Sequence, residues 1–225
     1  MSEVEILKNI SFNLTVRTLL KYLKLKYSKE QERILENLIK SSKNLIKPKI
    51  IYKVASAKKE KDILLVDKVP LKSKILIKII QSEKVFPYIA TIGKELEESI
   101  SLNQDMLERY YLEKIADVAL SHLLEFFEDY LKKVYNLKQL SHISPGSLPE
   151  WPITYQREIF SFFPDTEKTL GINLTHNFLI IPRKSISGIF FPTEKKFYTC
   201  SLCSRENCIN RKVPYNSKIR DKFLK

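Results

Sequence analysis

The chain has 225 residues, 44% of them hydrophobic and 29% charged, which is typical of a globular protein and excludes an intrinsically disordered one. It has no apolar run near the ~20 residues that a membrane-spanning helix needs, and its acidic start, MSEVEILKNISF, lacks the apolar core of a secretory signal, so we expect a cytoplasmic protein. The formal net charge of +13 comes from lysines dispersed along the chain, which favours a solvated surface or an acidic protein partner over a nucleic-acid ligand.

Glycine is scarce, and its scarcity excludes two kinds of nucleotide site. The four glycines, Gly93, Gly146, Gly171 and Gly188, cannot be assembled into G-x-G-x-x-G or into G-x-x-x-x-G-K-[ST]. Dinucleotide sites of the Rossmann type and P-loops are therefore excluded in their usual forms. Each glycine is expected to stand where a side chain cannot.

The N-terminal part of the chain predicts helices followed by short strands. Residues 1–47 are predicted to be helical because apolar residues recur three and four apart, and Ser28 with Gln31 three residues later predicts a helix start. Over residues 50–90, short runs rich in Ile, Val and Tyr predict three or four strands, with a short helix as the alternative over 73–82.

A long helical region follows. Residues 94–140 contain no proline or glycine, and their number predicts two helices with a break near 101–105. One helix face carries an apolar stripe, and acidic residues are expected to face water on the other. The stripe is Leu107, Tyr111, Ile115 and Val118, and the acidic residues are Asp117, Glu128 and Asp129.

The last third begins with a proline-rich elbow, ISPGSLPEWP, that opens into a predicted helix, ITYQREIFSFF. A second short helix, TEKTLGI, is expected to end on Gly171 as a left-handed cap. Two strands joined by a loop around 184–187 follow, and the second ends in KKFYTC. This order predicts a single α+β domain over 1–225, made of helices and strands (1–93), long helices (94–141), a motif region (142–200) and a cysteine-rich loop (200–225).

All three cysteines lie in one segment, CSLCSRENC. Cys200, Cys203 and Cys208 have a C-x2-C-x4-C spacing that can bring thiolates to one metal. Three thiolates suit zinc with a fourth ligand from elsewhere, for which the histidines are candidates, or a four-iron cluster with one open iron. The alternative is a set of reduced thiols without metal, or a redox-reactive pair.

Three groups of residues in the last third supply the parts of a ligand site. The elbow offers backbone that can approach a ligand at Gly146, and IIPRKSISGIFF offers Ser185, Ser187 and Gly188. KKFYTC offers two adjacent aromatic residues. Small backbone donors, hydroxyls and an aromatic edge suit a flat heteroaromatic ligand with a polar tail.

These segments resemble the activation domain of cobalamin-dependent methionine synthase, which binds S-adenosylmethionine. The family's P-G-Y-x-x-x-P elbow, G-x-x-L-T and P-x-x-S-x-S-G motifs stand here as PGSLPEWP, GINLT and PRKSISG, in the same order. The pair Phe197 and Tyr198 matches two adjacent tyrosines of the family. With TIGKELEESI and the cysteine loop included, the whole chain is similar to the short, free-standing relatives of this domain.

The resemblance implies a C-shaped α+β fold with an antiparallel sheet and long helices. By position, the ligand contacts that it implies fall on His142, Ser144, Pro145, Gly146, Phe197 and Tyr198. His142 replaces a family arginine that grips the ligand carboxylate, and Ser147 replaces the elbow tyrosine. A family glutamate of the long helix falls on Ser121, with Glu125 one turn on. A neutral imidazole makes one contact where a guanidinium makes a charged fork, so a lower affinity is expected.

The resemblance also implies a function, the reductive methylation that reactivates an oxidised cobalamin. The chain has no D-x-H-x-x-G motif for a cobalt-ligating histidine, so the expected partner is a separate methionine synthase or related corrinoid protein. A flavodoxin-type reductant would supply the electron, and its acidity would complement the net charge of the chain. The alternative is an iron–sulfur or zinc-binding accessory protein that keeps the fold and has lost the ligand.

Overall fold

The computed structural model describes residues 3–11, 13–23, 28–208 and 211–224. Within these residues a curled antiparallel sheet carries helices on both faces. The strands are β1 (Val4–Leu7), β2 (Lys49–Lys53), β3 (Ala55–Glu60), β4 (Ile63–Val66), β5 (Val69–Leu71), β6 (Lys84–Thr91), β7 (Leu140–Ile143), β8 (Asn173–Leu174), β9 (Ile180–Ile181) and β10 (Ser185–Pro192). The helices are α1 (Val16–Leu23), α2 (Lys29–Ser42), α3 (Lys74–Ile79), α4 (Glu95–Leu102), α5 (Met106–Val134), α6 (Gln156–Ser161), α7 (Thr166–Leu170) and α8 (Ser217–Leu224).

Strand β6 is the centre of the sheet. One edge of β6 pairs with both β2 and β3, which are consecutive in the chain and separated only by Val54. The other edge of β6 pairs with β10. Strand β10 pairs in turn with β7, which forms an edge of the sheet within the described residues. Strands β8 and β9 form a separate pair.

Alternate residues of β6 enter two separate cores. Phe86, Tyr88 and Ala90 are buried in one core together with residues of α1, α2, α4 and α5. Val85 and Ile89 are buried in the other, with residues of α3, α6 and α7. Because successive side chains of a strand point to opposite faces, burial on both faces explains why this segment reads as an almost unbroken apolar run.

Several predicted elements are confirmed, beginning with the antiparallel α+β class. Ser28 accepts the Gln31 backbone N–H, and the Gln31 side chain accepts the Ser28 backbone N–H, which completes a capping box at the start of α2. The break in the long helical region falls between α4 and α5, and Gly171 ends α7 with φ +75°. The short helix that was the alternative for 73–82 is α3.

Five predicted stretches differ from the structure. Residues 185–187, predicted to lie in a loop, begin β10 because they pair with β6. Residues 4–7, predicted as helix, form β1, because Glu5 accepts the hydroxyl of Tyr52 at 2.7 Å and holds this segment against β2. The predicted helical region up to residue 140 ends earlier, and residues 140–143 form β7. KKFYTC is not a strand but an irregular segment entering a single 3-10 turn. The predicted C-terminal loop contains α8.

The predicted faces of α5 are partly wrong. Tyr111, Ile115 and Val118 are buried as expected, whereas Leu107 is 52% exposed because it lies in the first turn, beyond the core. Glu128, expected to face water, has a side chain that is 12% exposed, because lysines from two segments cover it. Among the described residues, no helix is long and apolar enough to cross a membrane.

Candidate functional site

The elbow after β7 has the geometry of a type II turn. The Ser147 N–H donates to the Ser144 carbonyl oxygen at 3.1 Å, with Pro145 in the second position and Gly146, at φ +80°, in the third. The Gly146 N–H donates to the Trp151 carbonyl oxygen at 2.8 Å, which fastens the turn to the start of the next helical segment. A glycine stands here because the third position of such a turn needs a left-handed backbone.

The elbow and strand β10 face each other in direct contact. A Cβ placed on Gly188 would lie 2.3 Å from the carbonyl oxygen of Ile143 and 3.0 Å from Ser144 Oγ. The absence of a side chain at Gly188 therefore lets β10 approach β7 closely. This contact leaves no space for a ligand between the two segments at Gly188.

The two serines of the PRKSISG motif hold neighbouring elements together. Ser185 Oγ lies 2.9 Å from Thr91 Oγ1 on β6. The buried Ser187 hydroxyl donates to Gln156 Oε1 and so attaches α6 to the sheet. The expectation that these two hydroxyls would serve a ligand is therefore wrong, because both are already used inside the protein.

The six predicted ligand-contact residues lie along β7, its exit and the segment that crosses its start. We call this set the β7 strip: His142, Ser144, Pro145, Gly146, Phe197 and Tyr198. The Phe197 N–H donates to the Ser141 hydroxyl at 2.7 Å, which sets the aromatic pair at one end of the strip, while the elbow forms the other end. His142, paired with Phe190 of β10, lies between them.

The His142 imidazole is neutral at pH 7. Burial lowers its pKa, Lys212 and Lys196 act in the same direction, Glu128 opposes them, and the resulting pKa is about 4. The ring packs against Phe190 with centroids 5.0 Å apart. His142 can therefore offer a ligand a single neutral hydrogen-bonding contact.

A pair of buried hydroxyls marks the elbow end of the strip. Ser144 Oγ and Tyr88 Oη are buried, and each has the other within reach, without the full geometry of a hydrogen bond. Burial raises the pKa of Tyr88, and the interaction with the Ser144 hydroxyl offsets only part of that rise. The hydrogen-bonding capacity of the Ser144 hydroxyl is therefore only partly used inside the protein.

Sequence reasoning missed the charged residues beside His142. Glu128 of α5 forms ion pairs with Lys132, whose Nζ lies 2.6 Å from Glu128 Oε1, and with Lys196, which precedes the aromatic pair. Burial alone would raise the pKa of Glu128, but the hydrogen bonds and charges of these two lysines lower it. The helical pattern placed Glu128 on the wet face, and no sequence signal linked it to a residue 68 positions later.

A cleft of about 1270 Å3 opens beside the Phe197–Tyr198 end of the strip. Its walls come from the end of α3, the turn after α5, the segment after β10, and α8, and no residue of the elbow lines it. A second hollow, of about 990 Å3, lies between α1 and α2 and contains no predicted site residue. The cleft is therefore the hollow that adjoins the candidate site.

The guanidinium of Arg211 holds the cysteine loop together through hydrogen bonds to its backbone. Arg211 donates to the carbonyl oxygens of Cys200, at 3.0 Å, and Cys203, at 3.2 Å, and also to that of Arg205. Among the described residues, which include the three cysteines, no three His, Cys, Asp or Glu side chains form a group that could hold a metal ion. As placed, the thiols do not fit zinc or a cluster, and metal binding at Cys200, Cys203 and Cys208 stays a prediction.

The chain is similar over most of its length to a domain whose structure has been solved. That structure is the crystal structure of the MetH reactivation domain bound to AdoHcy, with a TM-score of 0.64 and 16% identity, covering 87% of this chain and 80% of that chain. The fold is that of a methionine synthase reactivation domain. The fold implied by the motifs is thereby confirmed. No family model and no curated protein matches the chain.

Proposed function

We propose that this reactivation-domain fold binds S-adenosylmethionine along the β7 strip and presents its methyl group to the corrinoid of a partner protein. The observation that carries the proposal is that the fold brings the elbow, His142 and the Phe197–Tyr198 pair together along one strand, where the motif resemblance implies the ligand contacts. The similar MetH domain was solved with AdoHcy, which is the thioether that remains when S-adenosylmethionine loses its methyl group.

The proposed reaction takes place on the partner's cobalamin. After one-electron reduction by a flavodoxin-type donor, the partner's corrinoid would supply the nucleophile that takes the methyl carbon of the sulfonium. The carbon–sulfur bond would break with its electron pair going to sulfur, so AdoHcy would be the leaving group. The role of this chain is to bind and orient the donor: the rigid elbow fixes the backbone at Gly146, and the aromatic pair fixes the other end.

Replacing Ser144 with alanine tests the proposal, because the variant should lower ligand affinity more than it lowers stability. Removing this hydroxyl leaves the buried Tyr88 hydroxyl without its partner, which should lower the free energy of unfolding by about 1 kcal/mol or less. The affinity for S-adenosylmethionine should fall about tenfold, which corresponds to the loss of about 1.4 kcal/mol of binding. Urea unfolding and isothermal titration calorimetry measure the two quantities on the same preparations.

The complementary variant is His142→Arg, which supplies a charged fork for the ligand carboxylate and should raise affinity. His176→Arg, which adds the same charge in an exposed loop, is the matched control and should not. If the wild-type protein and the His142→Arg variant both fold normally and neither binds S-adenosylmethionine, the chain shares only its fold with the reactivation domain.

The partner is a cobalamin-dependent methionine synthase or a related corrinoid protein, and the electron donor is acidic. The net charge of +13 attracts an acidic protein surface. Salt shortens the range of this attraction, because the Debye length falls from about 30 Å at 0.01 M ionic strength to about 10 Å at 0.1 M. We expect association with a flavodoxin-type protein to be faster at low ionic strength, measured by stopped flow. The same rate at both ionic strengths would contradict a charge-steered encounter.

A further inference from the structure

We propose that the cleft beside Phe197 and Tyr198, here called the lysine cleft, binds a small organic anion with an aromatic body and a phosphate group. Lysines from three separate elements converge on it: Lys78 from α3, Lys138 from the turn after α5, and Lys195 from the segment after β10. The lysine cleft shares Phe197 and Tyr198 with the β7 strip, but its lysines are not residues of the strip, and the proposal does not depend on the binding of S-adenosylmethionine.

The charge of the lysine cleft is not neutralised internally. Lys78, Lys138 and Lys195 make no ion pair with any residue in the described part of the chain, whereas a fourth lining lysine, Lys196, is paired with Glu128. The lining contains one carboxylate, Glu194. The cleft therefore has a surplus of two positive charges, which matches a phosphate monoester dianion.

The placement of these lysines is only partly explained by the fold. Lys78 lies in the last turn of α3, where a cation stabilises a helix end whether or not a ligand binds. Lys138 and Lys195 lie outside helices and strands, where no helix dipole or cross-strand pair accounts for them. Lys138 and Lys195 are therefore the two lysines whose convergence on the cleft a bound anion would explain.

The remainder of the lining selects an aromatic or apolar body. Ile79, Leu137, Val213 and Ile219 provide apolar surface, and Phe197 adds a ring. Apolar surface with a few charged groups at its margin is the usual composition of a small-molecule site. The volume of about 1270 Å3 leaves room for both a ring system and its anionic group.

The serine hydroxyls of the cleft have no hydrogen left for a ligand. Ser82 Oγ donates to the Lys84 carbonyl oxygen at 2.9 Å, and Ser201 Oγ donates to the Tyr198 carbonyl oxygen at 2.8 Å. These two hydroxyls can still accept hydrogen bonds, but they cannot donate one to a phosphate oxygen. The lysines are therefore the groups that would hold the anion.

The test uses two coumarins that differ in charge. Isothermal titration calorimetry with 4-methylumbelliferyl phosphate should show saturable binding, and the neutral 7-methoxy-4-methylcoumarin should bind at least tenfold more weakly. Lys138→Gln/Lys195→Gln should weaken binding of the phosphate ester about tenfold or more. The matched control, Lys29→Gln/Lys40→Gln, removes the same charge from the exposed surface of α2 and should bind like wild type.

Three outcomes would overturn the proposal. Equal binding of both coumarins would mean an apolar hollow without anion selectivity. Unchanged affinity in Lys138→Gln/Lys195→Gln would place the bound phosphate elsewhere, and tighter binding of a single-stranded oligonucleotide at this cleft would replace the small ligand with nucleic acid. Ser144→Ala should bind the phosphate ester normally, so failure of the lysine cleft and failure of the β7 strip can be told apart.

Discussion

Replacing Gly188 with alanine is expected to lower the free energy of unfolding by about 3 kcal/mol, at the upper end of the range for overpacked interiors. The new methyl group would lie 2.3 Å from the Ile143 carbonyl oxygen, which is backbone of the paired strand and cannot rotate away. Strands β7 and β10 would have to separate, and the β7 strip would lose its support. Urea unfolding followed by circular dichroism measures the loss.

Gly171→Ala is the control for this prediction. Gly171 has φ +75°, yet a Cβ there would meet nothing within 4 Å, so alanine brings backbone strain without a clash and should cost about 1 kcal/mol. An equal loss in the two variants would show that β7 can shift away from β10 at little cost. In that case the close approach of β10 to β7 at Gly188 would not be what holds the β7 strip in position.

The second large effect is expected at Lys184, which joins the loop before β10 to α5. Its ammonium lies 2.6 Å from Glu113 and 2.5 Å from Asp117, and its side chain is 13% exposed. Lys184→Met keeps most of the volume but removes the cation that Glu113 and Asp117 share, so that Glu113 keeps only Arg183 and Asp117 only Lys114 as ion-pair partners among the described residues. We expect a loss of about 2 kcal/mol, less than the 3–5 kcal/mol of a fully buried pair because the carboxylates keep partial access to water.

The loss at Lys184 should depend on pH in a defined direction. Burial alone would raise the pKa of Glu113, but Lys184 and Arg183 lower it below its ordinary value of 4.5. A carboxyl whose pKa is lowered on folding contributes stability above its unfolded pKa and loses it as pH falls through the folded pKa. The difference between wild type and Lys184→Met should therefore be full at pH 7 and shrink below about pH 4.5.

Lys94→Met is the matched control, because the Lys94–Glu98 pair is exposed to solvent on α4. It should leave stability unchanged at both pH values, as exposed pairs usually contribute little. If Lys184→Met also left the free energy of unfolding unchanged, the contacts of Arg183 with Glu97 and Glu113 would be sufficient to hold the loop.

The sequence predicted the elements whose signals are local. The capping box at Ser28 and Gln31, the break before α5 and the left-handed cap at Gly171 depend on residues within one or two turns. Strand β7 could not be found in this way, since the four residues LSHI have no distinctive pattern and become a strand by pairing with β10. Helix α8 is also defined by distant contacts, in which Arg220 reaches the Leu202 carbonyl oxygen and Glu150.

The fold was predicted by the resemblance of the three motifs, and the similarity to the MetH reactivation domain confirms it. The resemblance was less informative about the roles of the polar side chains, and the six ligand contacts that it implies stay a prediction. It could not separate a serine that faces a ligand from one that joins two elements, and Ser185 and Ser187 are of the second kind. Nor could it assign a role to Lys138 or Lys195, because their importance depends on a convergence of segments remote in sequence.

The guanidinium of Arg211 has a consequence for how the cysteine loop withstands chemical change. Its hydrogen bonds go to main-chain carbonyl oxygens of Cys200, Cys203 and Arg205, and none of those acceptors is a sulfur atom. Cys200 is the exception in the loop, because its Sγ also accepts the Lys212 backbone N–H at 3.5 Å. Alkylation of Cys208 should therefore leave the guanidinium contacts in place, whereas alkylation of Cys200 should also disturb the backbone at Lys212.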